Sequence, residues 1–191
     1  MISPLAVFRM PKPVGVLGRS SSITNAFING IVPQRWPSEG DVAEALSVLG
    51  LIAEDLRCAY CGDPETEWDH LRPLIVGQEP TGFIAEIQNL VPSCGKCNQS
   101  KGNSAWRAWM FGSARLCPRT RGIADLAERA ERLDRFEHWR APTRLDIPEI
   151  VGDDLWKAYR ENWQQLLEAM RKADVLGSAL KVRLRDAIAR A

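Results

Sequence analysis

Along the last third of the chain, apolar residues recur every three or four positions. Ile123, Leu126, Ala127, Ala130, Leu133 and Phe136 mark one stripe; Leu155, Tyr159, Trp163, Leu166 and Met170 mark a second. That is the period of an amphipathic helix. Pro142 and Pro148 fall between the stripes and separate the two helices, and a further, basic helix is predicted from about Ser178 to Arg190. Nearer the front, the apolar run ITNAFINGIVP ends at Pro33 and predicts a short helix behind an arm rich in Pro, Gly and Ser. Ser38, with Asp41 three positions on, has the form of a capping box that opens a helix over DVAEALSVLGL, and Gly50 lies near its end. The pattern changes in the middle of the chain. Trp68 to Ile75 and Phe83 to Val91 are strand-like and are separated by the turn-rich VGQEPTG, which predicts a hairpin with a long tip. After Ser93, a candidate N-cap, a helix is predicted through GKCNQSKGNSAWRAWM, with Gly102 weakening its middle. The fold class that follows is α+β, mainly α. There is no internal repeat and no low-complexity tract.

A chain of 191 residues with 45% hydrophobic content has the size of one domain with an extension and can bury a real core. No stretch approaches the ~20 apolar residues that a membrane span needs. The start, MISPLAVFRMPKP, lacks the apolar core and small-residue ending of a secretion signal, so a cytoplasmic protein is expected. The net charge of +1 conceals a segregation. From Ile87 to Ala124 there is no acidic residue, while Lys96, Lys101, Arg107, Arg115, Arg119 and Arg121 give +6. Residues 1–38 also lack acids and carry Arg9, Lys12, Arg19 and Arg35. Asp63, Glu65, Glu67, Asp69, Glu79 and Glu86 crowd the segment between. A polyanion-binding surface beside a cation site has this distribution, and so do solvated faces clustered by chance.

Four of the five cysteines form two CxxC pairs, Cys58/Cys61 and Cys94/Cys97, with 32 residues between the pairs. In a reducing compartment this spacing indicates Zn²⁺ rather than disulfides, because two paired thiolates grip a soft tetrahedral ion; a redox dithiol or buried free thiols are the alternatives. A hairpin fits inside the gap, so the ion would tie the base of a loop. Four sulfurs fill every position. Such a site is structural and does no chemistry.

Inside this loop and at its closing helix lie Asp69 and His70 in EWDHLRPL, Asn89 in QNLVPSC, and Asn98 with Lys101 in CNQSKG. The order Asp-His, then Asn, then Asn-x-x-Lys-Gly, threaded through two CxxC pairs, resembles the HNH, or ββα-metal, endonucleases. The resemblance covers about Cys58 to Met110 and implies a zinc-tied ββα-metal core flanked by N-terminal and C-terminal helices. It further implies a single-metal phosphodiesterase in which His70 is the general base. Asp69 and Asn98 would hold Mg²⁺ or Mn²⁺, and Asn89 would orient the hairpin and the base. The third motif letter is Asn98 rather than histidine, as in some subgroups of the family. Residue chemistry points the same way: a carboxylate and an amide oxygen suit a hard divalent ion, and imidazole is poised to accept a proton near neutral pH. Adjacent strand residues point to opposite faces, so a bend or bulge at Asp69–His70 is expected if both are to face one ion. Trp68, Trp106 and Trp109 are read as core of the small module, and His138 and Cys117 as structural.

The expected organisation is an N-terminal arm with helices over 1–57, the nuclease core over 58–112 and a C-terminal helical region over 113–191 for DNA binding or dimerisation. The expected activity is cleavage of double-stranded DNA to 5′-phosphate and 3′-hydroxyl ends, of a restriction or defence type. Lys96, Lys101, Arg107 and Arg19 are candidate nucleic-acid contacts. A homodimer through the C-terminal helices would suit a palindromic target. Two other readings are a non-catalytic zinc module that binds nucleic acid, and an HNH nuclease acting on RNA or structured DNA.

Overall fold

A computed structural model describes residues 4–64 and 67–190; Glu65 of the acidic segment lies outside them. The elements are helices α1 (Pro4–Val7), α2 (Ser20–Asn29) and α3 (Glu39–Leu49), strands β1 (Glu67–His70), β2 (Ile75–Val76), β3 (Glu79–Pro80) and β4 (Leu90–Ser93), then α4 (Gly95–Lys101), α5 (Trp106–Met110), α6 (Leu126–Trp139), α7 (Ile147–Val151) and α8 (Asp153–Ala189). The architecture is α+β and mainly α. Two compact units divide the chain: Ile28–Gly152, and Met1–Phe27 with Asp153–Ala191. These boundaries differ from the sequence division at 57/58 and 112/113. The reason is that α3 and α6, which lie outside the cysteine-tied segment in sequence, pack with it in one body.

Local chemistry sets the start of α3. The Ser38 hydroxyl accepts from the Asp41 N–H, the Asp41 carboxylate accepts from the Ser38 N–H, and Gly50 closes the helix in the left-handed region at φ 65°. From α3, Asp41 and Glu44 reach the Arg140 guanidinium just past α6, and Glu44 accepts from the Trp139 indole at 2.7 Å. Leu133 and Phe136 of α6 complete a buried cluster with Leu49, Tyr60, Leu71, Val91 and the four paired cysteines.

β1 and β4 pair antiparallel in an unbroken register, from Glu67 opposite Ser93 to His70 opposite Leu90, and the small β2–β3 hairpin forms the tip between them. The strands are shorter than predicted. No bulge interrupts β1 at Asp69–His70, contrary to expectation. The helix predicted after Ser93 is also two helices. Cys94, not Ser93, is the N-cap of α4, and Gly102 ends it at φ 50°, a conformation that favours glycine; the chain restarts at α5. The C-terminal helices, predicted as two, are one: α8 runs 37 residues because no proline follows Pro148 and a single Gly177 costs a helix only ~1 kcal/mol. Within its own unit, Trp163, Leu167 and Met170 of α8 are buried, and the Phe27 ring stacks on Trp163 at 6.0 Å. Among the described residues, no helix is long and apolar enough to cross a membrane.

Candidate metal centres and candidate active site

Two short segments bring the paired cysteines together. In the first, the Gly62 N–H donates to the Cys58 carbonyl at 2.8 Å and Gly62 takes φ +80°, folding Cys58 and Cys61 into a tight knuckle; a Cβ at Gly62 would also meet the Arg129 guanidinium at 2.6 Å. In the second, Cys94 caps α4 and Cys97 follows within its first turn. The Ala59 N–H donates to the Pro92 carbonyl at 2.8 Å and joins the knuckle to β4. All four Sγ atoms are buried within 4.8 Å of one another, and Cys61 and Cys94 stand 3.6 Å apart. Thiolates bound to zinc at ~2.3 Å in a tetrahedron stand about 3.8 Å apart, so these sulfurs have the ligand set and the spacing of a closed zinc site. Arg121 donates from Nη1 to Cys97 Sγ at 3.4 Å and from Nη2 to Asp63 at 3.2 Å, which sets a positive charge against a sulfur cluster that becomes anionic on loading. In sequence Arg121 had stood only among the basic residues of the acid-free segment. Cys117 stays outside the cluster, against the Gly112 carbonyl and the Thr120 hydroxyl.

The zinc-tied frame fixes β1 against α4, and strand alternation then sorts the site residues. Glu67 and Asp69 share the face turned to α4. Glu67 Oε1 accepts from the Asn98 amide at 3.0 Å. Asp69, 5% exposed, accepts from the Tyr60 hydroxyl at 2.7 Å and pairs with Lys101 Nζ at 3.1 Å. Lys101 is 2% exposed and also donates to the His70 carbonyl at 2.7 Å. Burial pushes the Asp69 carboxyl up and the Lys101 amine down, and the charge of each opposes the shift of the other. Lys101 is therefore a buried partner of Asp69, out of reach of a phosphate on the surface. The same period-two argument that required a bulge at His70 also puts Glu67 beside Asp69, and Glu67 is the carboxylate that sequence reasoning passed over.

Trp68 and His70 point the other way. His70 is half-buried; burial first, and then the Lys101 charge, pull its imidazole down from 6.5 to about 4, so it is neutral at pH 7. Its Nε2 is buried without a hydrogen-bond partner. Trp68 is 38% exposed and lines a groove with His70, which corrects its assignment to the core; Trp106 and Trp109 are buried as expected. Asn89 is fully buried, and its amide clasps the backbone two residues past His70: Oδ1 accepts from the Arg72 N–H at 2.8 Å, and Nδ2 donates to the Arg72 carbonyl at 3.1 Å.

The structure thus places Asp69 and Asn98 at one β1–α4 junction and His70 on the opposite face of the strand. Hard oxygen donors of Glu67, Asp69 and Asn98 have the chemistry that Mg²⁺ or Mn²⁺ takes, although Asp69 is held here by Lys101. Of the candidate nucleic-acid contacts, Lys96 is exposed and 3.6 Å from Asp63, and Arg107 pairs with Asp134 at 2.6 Å over the Trp106 ring. Arg19 ends a 3₁₀ turn, Val16–Arg19, in the other compact unit. His138 donates from Nδ1 to the Asp134 carbonyl at 2.8 Å within α6, a structural contact.

Two comparisons with known proteins bear on the segment that carries these residues. The family model for HNH endonuclease matches residues 58–104. Residues 58–104 are thus similar to an HNH endonuclease domain. The chain is also similar to a CRISPR-associated endonuclease Cas9 of Corynebacterium diphtheriae, 33% identical over 161 residues, which covers 81% of this chain and 13% of that protein. The chain therefore spans about an eighth of the length of that curated relative. No solved structure matches. The four-cysteine cluster fits the zinc-binding subgroup of HNH domains.

Three outcomes are expected of residues 58–104 and their frame. Metal analysis of the purified chain finds one zinc, and Cys97→Ser loses both the zinc and the cooperative unfolding transition. Lys101→Met leaves the Asp69 charge buried and unpaired, so urea denaturation shows a loss of ~3–5 kcal/mol, and the loss shrinks when millimolar Mn²⁺ is present. Third, NMR of the zinc-loaded protein without Mg²⁺ finds the His70 ring neutral down to a pH of about 4. Because that value lies below the unfolded one, the unfolded chain takes the proton first. The contribution of His70 to stability is then full above about 6.5 and declines as the pH falls toward 4.

Proposed function

We propose that the chain is a metal-dependent HNH DNA endonuclease that hydrolyses phosphodiester bonds to 5′-phosphate and 3′-hydroxyl ends. The observation that carries the reading is the HNH match at 58–104, a segment that holds Asp69, His70, Asn89 and Asn98 in motif order. His70 is the general base: its imidazole is neutral at pH 7, and Nε2 has no protein partner, although it is buried and reaches the attacking water only after a local opening. It takes the proton of the attacking water. Asn89 is a positioning residue, since it holds the Arg72 backbone and with it the end of β1. Asp69 and Asn98, with Glu67 beside them, hold Mg²⁺ or Mn²⁺; when bound, the ion neutralises charge on the phosphoryl and leaving oxygens. Asp69 changes partner from Lys101 to make this possible. Among the described residues β1 pairs with a strand along one edge only; at the other, Lys101 Nζ holds the His70 carbonyl at 2.7 Å, and its withdrawal opens that edge to a phosphate.

In this reading the nuclease core is 58–112, and residues 1–57 and 113–191 supply the arm and helices that engage double-stranded DNA. Lys96, Arg107 and Arg19 contribute phosphate contacts. The similarity to a CRISPR-associated endonuclease supports DNA as substrate and a defence role. The five free cysteines support a reducing, cytoplasmic setting. An exposed row of Leu176, Leu180, Leu184 and Ile188 on α8 supports a homodimer. A second reading, a non-catalytic zinc module, is favoured by one observation: Tyr60 and Lys101 already satisfy Asp69, on the face opposite His70.

A plasmid assay separates the two readings. Mg²⁺ or Mn²⁺ supports cleavage and EDTA stops it. His70→Ala, with its zinc content and unfolding transition intact, cuts ~10²–10⁴-fold more slowly. Parent protein that leaves plasmid, single-stranded DNA and RNA uncut in both metals would establish the non-catalytic reading.

A further inference from the structure

The chemistry assigned to His70 uses one side chain of a larger feature. On that face of β1 lies a groove of about 390 Å³, within the ~300–1,000 Å³ of small-ligand sites, lined by Arg35, Trp36, Trp68, His70, Ile87 and Leu90 among others. Trp36 is 87% exposed. One bare tryptophan is ordinary, but Trp36 adjoins Trp68, Ile87 and Leu90 in one groove beside His70, and contiguous exposed apolar surface of that kind is characteristic of binding sites.

Trp36 is not on a loose loop. The Arg35 N–H donates to the Ala85 carbonyl at 2.9 Å, and the Ala85 N–H donates to the Pro33 carbonyl at 3.0 Å, so the strap before Trp36 is pinned by two backbone bonds. Arg35 adds a third anchor, donating to Glu86 at 2.8 Å and to the Thr143 hydroxyl at 3.0 Å. Glu86 is 1% exposed, covered by those partners. The lining of the groove therefore presents two indoles, the His70 ring and one guanidinium, whose charge is balanced by Glu86. That combination suits a flat, uncharged aromatic ring: the surface complementarity is to a π face.

We infer that this groove seats one nucleobase of the strand whose phosphate lies at His70, with the base stacked on Trp36 and flanked by Trp68. The inference rests on the nuclease reading of His70 and names how that site holds its substrate. Indole stacking tolerates every base, because each has a π face. The groove thus positions a nucleotide without reading its identity. Within a duplex a base is already stacked on its neighbours, so the subsite favours a nucleotide that is unpaired or turned out of the helix.

The test uses the full zinc-loaded chain, with Trp36→Ala, Trp36→Leu and Trp36→Phe. Trp36 is exposed and outside the core, so all three fold; matching unfolding transitions check this. Base–aromatic stacking of ~1–3 kcal/mol predicts a rise in KM of about tenfold for single-stranded DNA in Trp36→Ala. Trp36→Leu does no better, Trp36→Phe recovers most of the loss, and kcat changes little. Because tryptophan is neutral, the dependence of binding on salt keeps its slope. Independently of cleavage, a single-stranded oligonucleotide carrying 2-aminopurine is titrated with His70→Ala protein. Its fluorescence is quenched on binding, and the quenching is lost when Trp36→Ala is added to that variant. Unchanged KM in a parent-competent assay, equal quenching with and without Trp36, or full rescue by leucine would each overturn the subsite. Should the parent cut nothing, the nuclease reading falls, and the 2-aminopurine titration still decides whether the groove takes a base.

Discussion

Side chains alternate along a β-strand, and in the four residues Glu67 to His70 that alternation governs everything nearby. The β1–β4 register is continuous, so Glu67 and Asp69 must face α4 while Trp68 and His70 must face the groove. A slip of one position would exchange the two sets. What prevents it is the sulfur cluster, whose two halves sit in the knuckle just before β1 and at the cap of α4 just after β4. The clamp does no chemistry itself. Its consequence is that a carboxylate and an imidazole keep fixed stations on a strand too short to hold its own register, with the Asn98 amide held opposite on α4, since an isolated pair of four-residue strands is marginal in water.

On the α4 face, two rungs cross from strand to helix: Glu67 to Asn98 and Asp69 to Lys101. The second is buried, and its energetics differ from those of the exposed ion pairs elsewhere on the chain. Removing one partner of a buried pair strands the other charge, whereas the pair as a whole gains little over apolar residues of the same size. A pair of this kind is a poor way to add stability. It is a good way to keep a carboxylate inside a dry pocket until another cation takes over, because Lys101 Nζ also sits against the His70 and Gly102 carbonyls, in an oxygen-rich cage.

Features written within a few residues were legible in the sequence. The Ser38–Asp41 box, the cysteine spacing and the stripe from Leu126 to Phe136 each depend on neighbours one or two turns away, and each is found where expected. The role of Asn89 came from the family resemblance: the motif implied that it orients the hairpin, and its amide does clasp the Arg72 backbone. What escaped depends on tertiary partners. Lys101 reads as one more basic residue until Asp69 and Tyr60 enclose it. Trp68 reads as core by composition, and only the strap at Gln34–Pro37, thirty residues earlier, makes its face of β1 a groove. Gly102 was noticed as a weak point, but that it ends the helix depends on a positive φ that composition alone does not reveal.

The two faces of β1 pose a geometric problem whose resolution lies at the edge of the sheet. A general base and a metal ligand on adjacent residues point apart, yet their Cα atoms are only ~3.8 Å from each other across the peptide bond. A group above either face meets one of them; a group at the edge of the strand is close to both. β1 has a strand neighbour, β4, along one edge, and the sheet they form has only these two strands among the described residues. At that edge buried Lys101 Nζ holds the His70 carbonyl at 2.7 Å, so a phosphate there would meet both His70 and the Asp69–Asn98 junction only once Lys101 has withdrawn. On the proposed reading the regular strand, in place of the bulge that the sequence led us to expect, would separate the proton-accepting group from the cation site. That separation also keeps the imidazole out of the coordination sphere of a metal, where it could not act as a base.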